Sequence, residues 1–122
     1  IRDSAKTGNE QGALDDVNAL RRRAGLSEEA LYTLDNYREA GYSSVLDVVL
    51  DERRLELCFE GQRWYDLVRF GKLEEGVKKL AKYSSVATSQ AQNFQPKHVI
   101  FPIPQDVIDA SNGKIEQNPL WK

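Results

Sequence analysis

Glu52, Glu56 and Glu60 recur every four residues, with Arg53 and Arg54 between them and Arg63 and Asp66 just beyond. On a helix that spacing stacks three carboxylates on one side. Two carboxylates about 5–10 Å apart are the apparatus of glycoside hydrolysis, and such a pair needs an open cleft and separated pKa values. The interleaved arginines favour a different object. On a wheel of about 100° per residue, Asp47, Asp51 and Arg54 share one arc, with Cys58 beside them. The remaining arc carries Val45, Leu46, Val48, Val49, Leu50, Leu55, Leu57 and Phe59, and Glu52, Arg53, Glu56 and Glu60 fall among them. An unpaired buried carboxylate would neutralise, so these acids need cations. The pattern therefore predicts a structural ion network of Glu52, Arg53, Glu56, Glu60, Arg63 and Asp66 inside the core. Arg53 stands within helical reach of Glu56, Arg63 or Arg22 could serve through space, and Asp66 can also pair with Arg69 three residues on.

The other reactive residue types are sparse. His98 is the single histidine and lies far in sequence from the glutamates, which favours a satisfied histidine over a metal ligand. Cys58 stands alone, so an internal disulfide and a four-cysteine zinc site are excluded, and with no histidine base nearby it is a poor nucleophile. Trp64, Tyr65, Phe70 and Trp121 could stack on sugar rings, but at helical spacing they read as core. Arg21–Arg23 and Lys78–Lys79 read as solvated charge runs at helix ends. The sequence holds no glycine-rich phosphate loop, nucleophile elbow or zinc-binding helix motif. No catalytic residue, metal site or cofactor is expected.

The elements that must carry these residues are helical. Ala13, Leu14, Val17, Leu20 and Ala24 form one apolar stripe over Glu10 to Ala24, with Asn9 as N-cap and Gly25 as left-handed C-cap. Ile1 to Thr7 reads as the end of a preceding helix. Ser27 could cap a short helix over Glu28 to Leu34, and Ser44 opens the long segment from Val45, which Gly61 interrupts. A further helix fits Gln62 to Phe70 and another Leu73 to Tyr83. Ser84 to Pro96 is polar and aperiodic and predicts a loop. Lys97 to Phe101 predicts an extended run before Pro102 and Pro104, Gln105 to Ala110 a short helix, and the tail packs through Trp121.

At 122 residues the chain has room for one core. Seventeen Lys and Arg against nineteen Asp and Glu leave a net charge of −2, which offers no positive field for a nucleic-acid backbone. The longest apolar run, Val45 to Leu50, is broken by Asp47 and is too short to span a bilayer. No methionine is present, which predicts a processed chain or a piece of a longer one.

The stretch Asp51 to Gly71 closely resembles the hallmark of the SusD/RagB family, ERR-x-EL-x-FEG-x-RW-x-DL-x-RWG. Leu14 to Leu26 is similar to the family's preceding LN-x-R-x-RAGL segment. Phe101 to Gln105 and Gln117 to Trp121 are similar to its closing PIP…QNPGY segment. Phe70 stands where Trp is commoner, and Leu120-Trp121 replaces Gly-Tyr. The resemblance implies an all-α fold of tetratricopeptide-like helical hairpins with long irregular loops, residues 1–122 forming the C-terminal region of a longer protein. It also implies a non-catalytic lipoprotein on the bacterial outer-membrane surface, anchored through an N-terminal lipid outside this chain. Such a protein captures oligosaccharides, or sometimes peptides, and caps a TonB-dependent SusC-like transporter. The family's ligand contacts lie mostly upstream, so no ligand residue is assigned. A tetratricopeptide-like adaptor without a glycan ligand is the first alternative, and a helical carbohydrate-active enzyme the second.

Overall fold

A computed structural model describes residues 8–122. The expected helix end over Ile1 to Thr7 lies outside them. The fold is all-α, and the described residues contain no strand. Where the length predicts one core, the chain divides after Asp66 into two compact units, Ile1–Asp66 and Leu67–Lys122.

In the first unit, α1 (Glu10–Arg23) starts where the Asn9 side chain accepts from the Gly12 N–H, and Ala13, Leu14 and Val17 are fully buried. Its end is a Schellman turn: the Leu26 N–H reaches the Arg21 carbonyl and the Gly25 N–H the Arg22 carbonyl. That closure requires the left-handed Gly25, φ +82°. α2 (Val45–Glu56) packs against α1 through Val45, Val48 and Val49, all buried, and is capped by Ser44, whose Oγ accepts from the Asp47 N–H.

Two expectations fail in this unit. The helix over Glu28 to Leu34 is a single 3-10 turn, Glu28–Ala30, after which Leu31 is extended. The cause is side-chain competition for the backbone. Asn18 takes both the N–H and the C=O of Tyr32, at 2.9 and 2.7 Å, and Asn36 Nδ2 takes the Leu31 carbonyl. The second failure is the wheel beyond Glu56. α2 stops there, and Phe59 and Gly61 take left-handed φ of +67° and +72°. Helical periodicity no longer applies to Phe59, which faces solvent instead of the core, and Leu55, still within the last turn of α2, is exposed as well.

In the second unit, the C-terminal end of α3 (Arg63–Arg69) closes with another Schellman turn, Lys72 N–H to Leu67 carbonyl, through the left-handed Gly71. α4 (Leu73–Leu80) packs on α5 (Ser85–Asn93). The expected loop over Ser84 to Pro96 is thus mostly helix. Its alanines and glutamines are good helix formers, and Thr88 Oγ1 donates to the Ala81 carbonyl to fix the entry. The run Lys97 to Phe101 begins instead as a 3-10 turn, Pro96–Val99, because His98 Nδ1 accepts from the Gln95 N–H; Ile100 after it is extended. After α6 (Gln105–Ala110), the tail is joined by side chains acting as a missing strand. Gln117 takes both the N–H and C=O of Ile103, at 2.9 and 2.8 Å, Asn118 takes the Phe101 carbonyl, and Trp121 Nε1 donates to the Ile100 carbonyl at 2.7 Å.

Candidate functional site

The charged residues of α2 meet partners from α1 and from the start of α3. Glu52, buried, accepts from Arg21 Nη1 at 3.0 Å, and the Arg21 side chain is itself only 13% exposed. Arg53 grips Asp66 with two parallel bonds of 3.0 Å, and the Asp66 side chain is 1% exposed. Glu56 takes Arg23 Nη2 on both oxygens, at 2.5 and 2.6 Å, in a more exposed setting. Arg63 Nη1 donates to the Leu50 carbonyl at 2.9 Å. Burial, and then the neighbouring Arg54 charge, lower the Arg63 pKa against the pull of Asp51 and Asp66.

The structure thus changes the expected partners. Arg53 serves Asp66 and not Glu56, Arg22 pairs with Glu28, and Glu60 is exposed beyond the end of α2. Arg21 and Arg23, read as solvated, supply cations to the α2 glutamates. Arg21 was legible in principle: Leu14, Val17, Asn18 and Arg21 stand at i, i+3, i+4 and i+7 and share the inward side of α1.

A tyrosine relay extends the network. The Arg21 guanidinium lies 4.4 Å over the Tyr32 ring, which meets Tyr42 edge to face at 5.5 Å. The Tyr42 hydroxyl donates to Asp51 at 3.0 Å, and Arg54 Nε donates to the other Asp51 oxygen at 2.7 Å. Burial, reinforced by the contacts with Tyr32 and Asp51, pushes the Tyr42 hydroxyl well above its ordinary pKa. Burial works against the Asp51 carboxylate, yet the bonds from Arg54 and Tyr42 outweigh it and hold its pKa below the usual value. Neither tyrosine stands out in the sequence, because their meeting depends on the non-helical path between α1 and α2.

Chemically this is a positioning device, with each interior carboxylate joined to an arginine. Among the described residues no three or more His, Cys, Asp or Glu side chains gather to hold a metal. His98 lies in the second unit, between the Phe94 and Trp121 rings at 5.8 and 5.6 Å. Cys58 is exposed, and Trp64 is half-buried. No helix among the described residues is long and apolar enough to cross a membrane.

Comparison with known proteins adds a family. The sequence model of the SusD family matches residues 4–121. A SusD-like protein, P2, from Formosa agariphila is 35% identical over 57 residues, which are 47% of this chain and 11% of that protein. The chain therefore corresponds to a small part of that relative. No solved structure matches at a significant level.

Proposed function

This chain belongs to the SusD family, and we propose from that premise that it serves nutrient capture at the bacterial outer-membrane surface. The observation that carries the reading is the extent of the match, residues 4–121 of 122. The ligand is an oligosaccharide, bound mainly by parts of the protein outside this chain. The partner is a TonB-dependent SusC-like transporter, and attachment is through an N-terminal lipid. The role is binding without catalysis. In support, Glu52, Glu56 and Asp66 are each joined to an arginine at 3.0 Å or less, an arrangement that fixes helices.

Fractionation of the native organism tests this directly. The protein should co-purify from outer membranes with a TonB-dependent transporter and should retain oligosaccharides on a glycan array without releasing product. Recovery only from the cytosol would remove the transporter reading. Turnover of a glycan that is lost on Glu56→Gln would remove the binding-only reading.

A further inference from the structure

The asparagines of this chain differ in what holds their carboxamides. Asn9 caps α1, Asn18 brackets Tyr32, Asn36 holds the Leu31 carbonyl and Asn118 the Phe101 carbonyl. Asn93 ends α5 ahead of the bulky Phe94, whose N–H bonds to the Ala91 carbonyl. Asn112 is the sixth, and it alone is followed by glycine. It stands exposed just past α6, and its carboxamide makes no hydrogen bond among the described residues.

The backbone there is equally unheld. Asn112 and Gly113 are left-handed in succession, φ +52° and +79°, the pattern of a type I′ turn, which favours Asn-Gly. The turn is closed from outside. The Lys114 N–H reaches the Ser111 carbonyl at 3.3 Å, and the Ile115 N–H reaches Ser111 Oγ at 3.0 Å. The peptide unit inside it, the Asn112 C=O and the Gly113 N–H, makes no hydrogen bond among the described residues, so it rotates without breaking one. A Cβ added at Gly113 would meet nothing within 4 Å, so the nitrogen is open to approach. Glycine also has the freest dihedrals of any residue.

We propose that Asn112-Gly113 is a site of spontaneous deamidation, a covalent change that adds a negative charge and loosens the turn ahead of the tail. The Gly113 nitrogen attacks Asn112 Cγ, an N–Cγ bond forms, and the carboxamide nitrogen leaves as ammonia, carrying the Gly113 proton. Water then opens the resulting five-membered imide. Addition at Cγ restores the ordinary main chain as aspartate. Addition at the main-chain carbonyl routes the chain through Cβ and Cγ as isoaspartate, and this is the favoured course because that carbonyl adjoins the nitrogen-bearing Cα and is the more electrophilic. No electrons are exchanged, and water is the only co-reactant. Either product replaces a neutral side chain with a carboxylate. Isoaspartate also lengthens the main chain by one carbon between Ser111 and Lys114, which breaks both closing bonds at Ser111.

The test is incubation of the intact chain near neutral pH, with tryptic mapping over time by mass spectrometry. The peptide His98–Lys114 carries Asn112 as its only asparagine. It should gain the mass of exchanging NH2 for OH and split into two chromatographic forms. Conversion there should run at least roughly tenfold faster than at Asn9, Asn18 or Asn36, each of which must first break a bond of its carboxamide. Hydrogen exchange at the Lys114 and Ile115 amides should quicken in the isoaspartate form and stay unchanged in Asn112→Asp. Asn112→Gln should abolish the mass gain, since the larger ring it requires closes far more slowly. Faster conversion at another asparagine would overturn the proposal, as would the same mass gain in the Asn112→Gln peptide. An unmodified peptide after a time in which the urea-unfolded chain converts would overturn it too, by showing that the folded turn holds Asn112 away from attack. Unchanged exchange at Lys114 and Ile115 in the isoaspartate form would overturn the loosening of the turn.

Discussion

Arg53 reaches thirteen residues forward to hold Asp66 through two bonds of 3.0 Å, and it does so at the point where the chain leaves its first unit. The pair spans the non-helical stretch after Glu56, where Phe59 and Gly61 reverse the backbone. It sets the start of α3 relative to α2 where backbone hydrogen bonding does not.

Removing the arginine takes two bonds from a carboxylate that is 1% exposed, whereas removing Arg23 strands only the more exposed Glu56. Arg53→Ala should cost about 3–5 kcal/mol and Arg23→Ala about 0–1 kcal/mol. Denaturant midpoints at constant m-value check this, and equal losses would show that burial does not set the energetics of the network.

Glu52 and Glu60 were equivalent on the wheel but are not in the structure. Glu52 is buried against Arg21 and Glu60 lies exposed beyond the helix. Glu52→Ala should cost several kcal/mol, within the roughly 3–5 expected for a broken buried pair, and Glu60→Ala less than about 0.5. Parallel urea titrations of the two variants decide it.

That contrast also marks how far the sequence could be read. Periodicity placed α1, α2, α3, α4 and α6 to within a few residues, because an apolar stripe or a cap defines each. It could not see the left-handed Phe59, since nothing in a period announces a single reversed residue. It missed α5 because that helix lacks a strong apolar stripe. It named most members of the ion network but assigned different pairings, since partners thirty residues apart are chosen by packing. The spacing of Asn18 puts it on the inward side of α1, but its work on the Tyr32 backbone is visible only with the fold.

Asn18→Leu keeps the branching and the heavy-atom count of the side chain at a buried site, yet it should destabilise. The Tyr32 N–H and C=O would both lose their partner, at a cost of about 2–4 kcal/mol if neither finds water. Thermal melting together with faster hydrogen exchange at the Tyr32 amide is the expected signature. A stability equal to that of the parent chain would mean that the loop after Ala30 is held by other contacts.

The Asp51 cluster predicts an acid-sensitive contribution with a definite sign. Its folded pKa lies below the ordinary 3.8, so its stabilisation is complete above that value and is lost as the pH falls through the folded one. The bonds from Tyr42 and Arg54 create that depression, in spite of burial. Asp51→Asn should therefore flatten the stability–pH curve below about pH 4, and Tyr42→Phe should flatten it partly, because the Arg54 bond remains. Unfolding free energies measured between acid and neutral pH provide the check. A variant curve parallel to the original across that range would assign the acid limb to other carboxylates.

The tail gives the last prediction. Gln117 brackets the Ile103 N–H and C=O while Asn118 and Trp121 take the carbonyls of Phe101 and Ile100, so three successive anchors fasten 117–121 to 100–103. Lys97 lies 4.6 Å from the Trp121 ring centroid and His98 packs beside it, so the indole reports on whether the anchors hold. Gln117→Ala removes two bonds to Ile103 and one from the Asn118 N–H and should cost about 1–3 kcal/mol locally, because the freed backbone groups can reach water. The expected result is a red-shifted and more quenchable Trp121 emission, read in a Trp64→Phe background, with little change in the main unfolding transition. Emission unchanged from that of the background protein would show that Trp121 is held by ring packing alone. Loss of the main transition would show that the tail is part of the cooperative core.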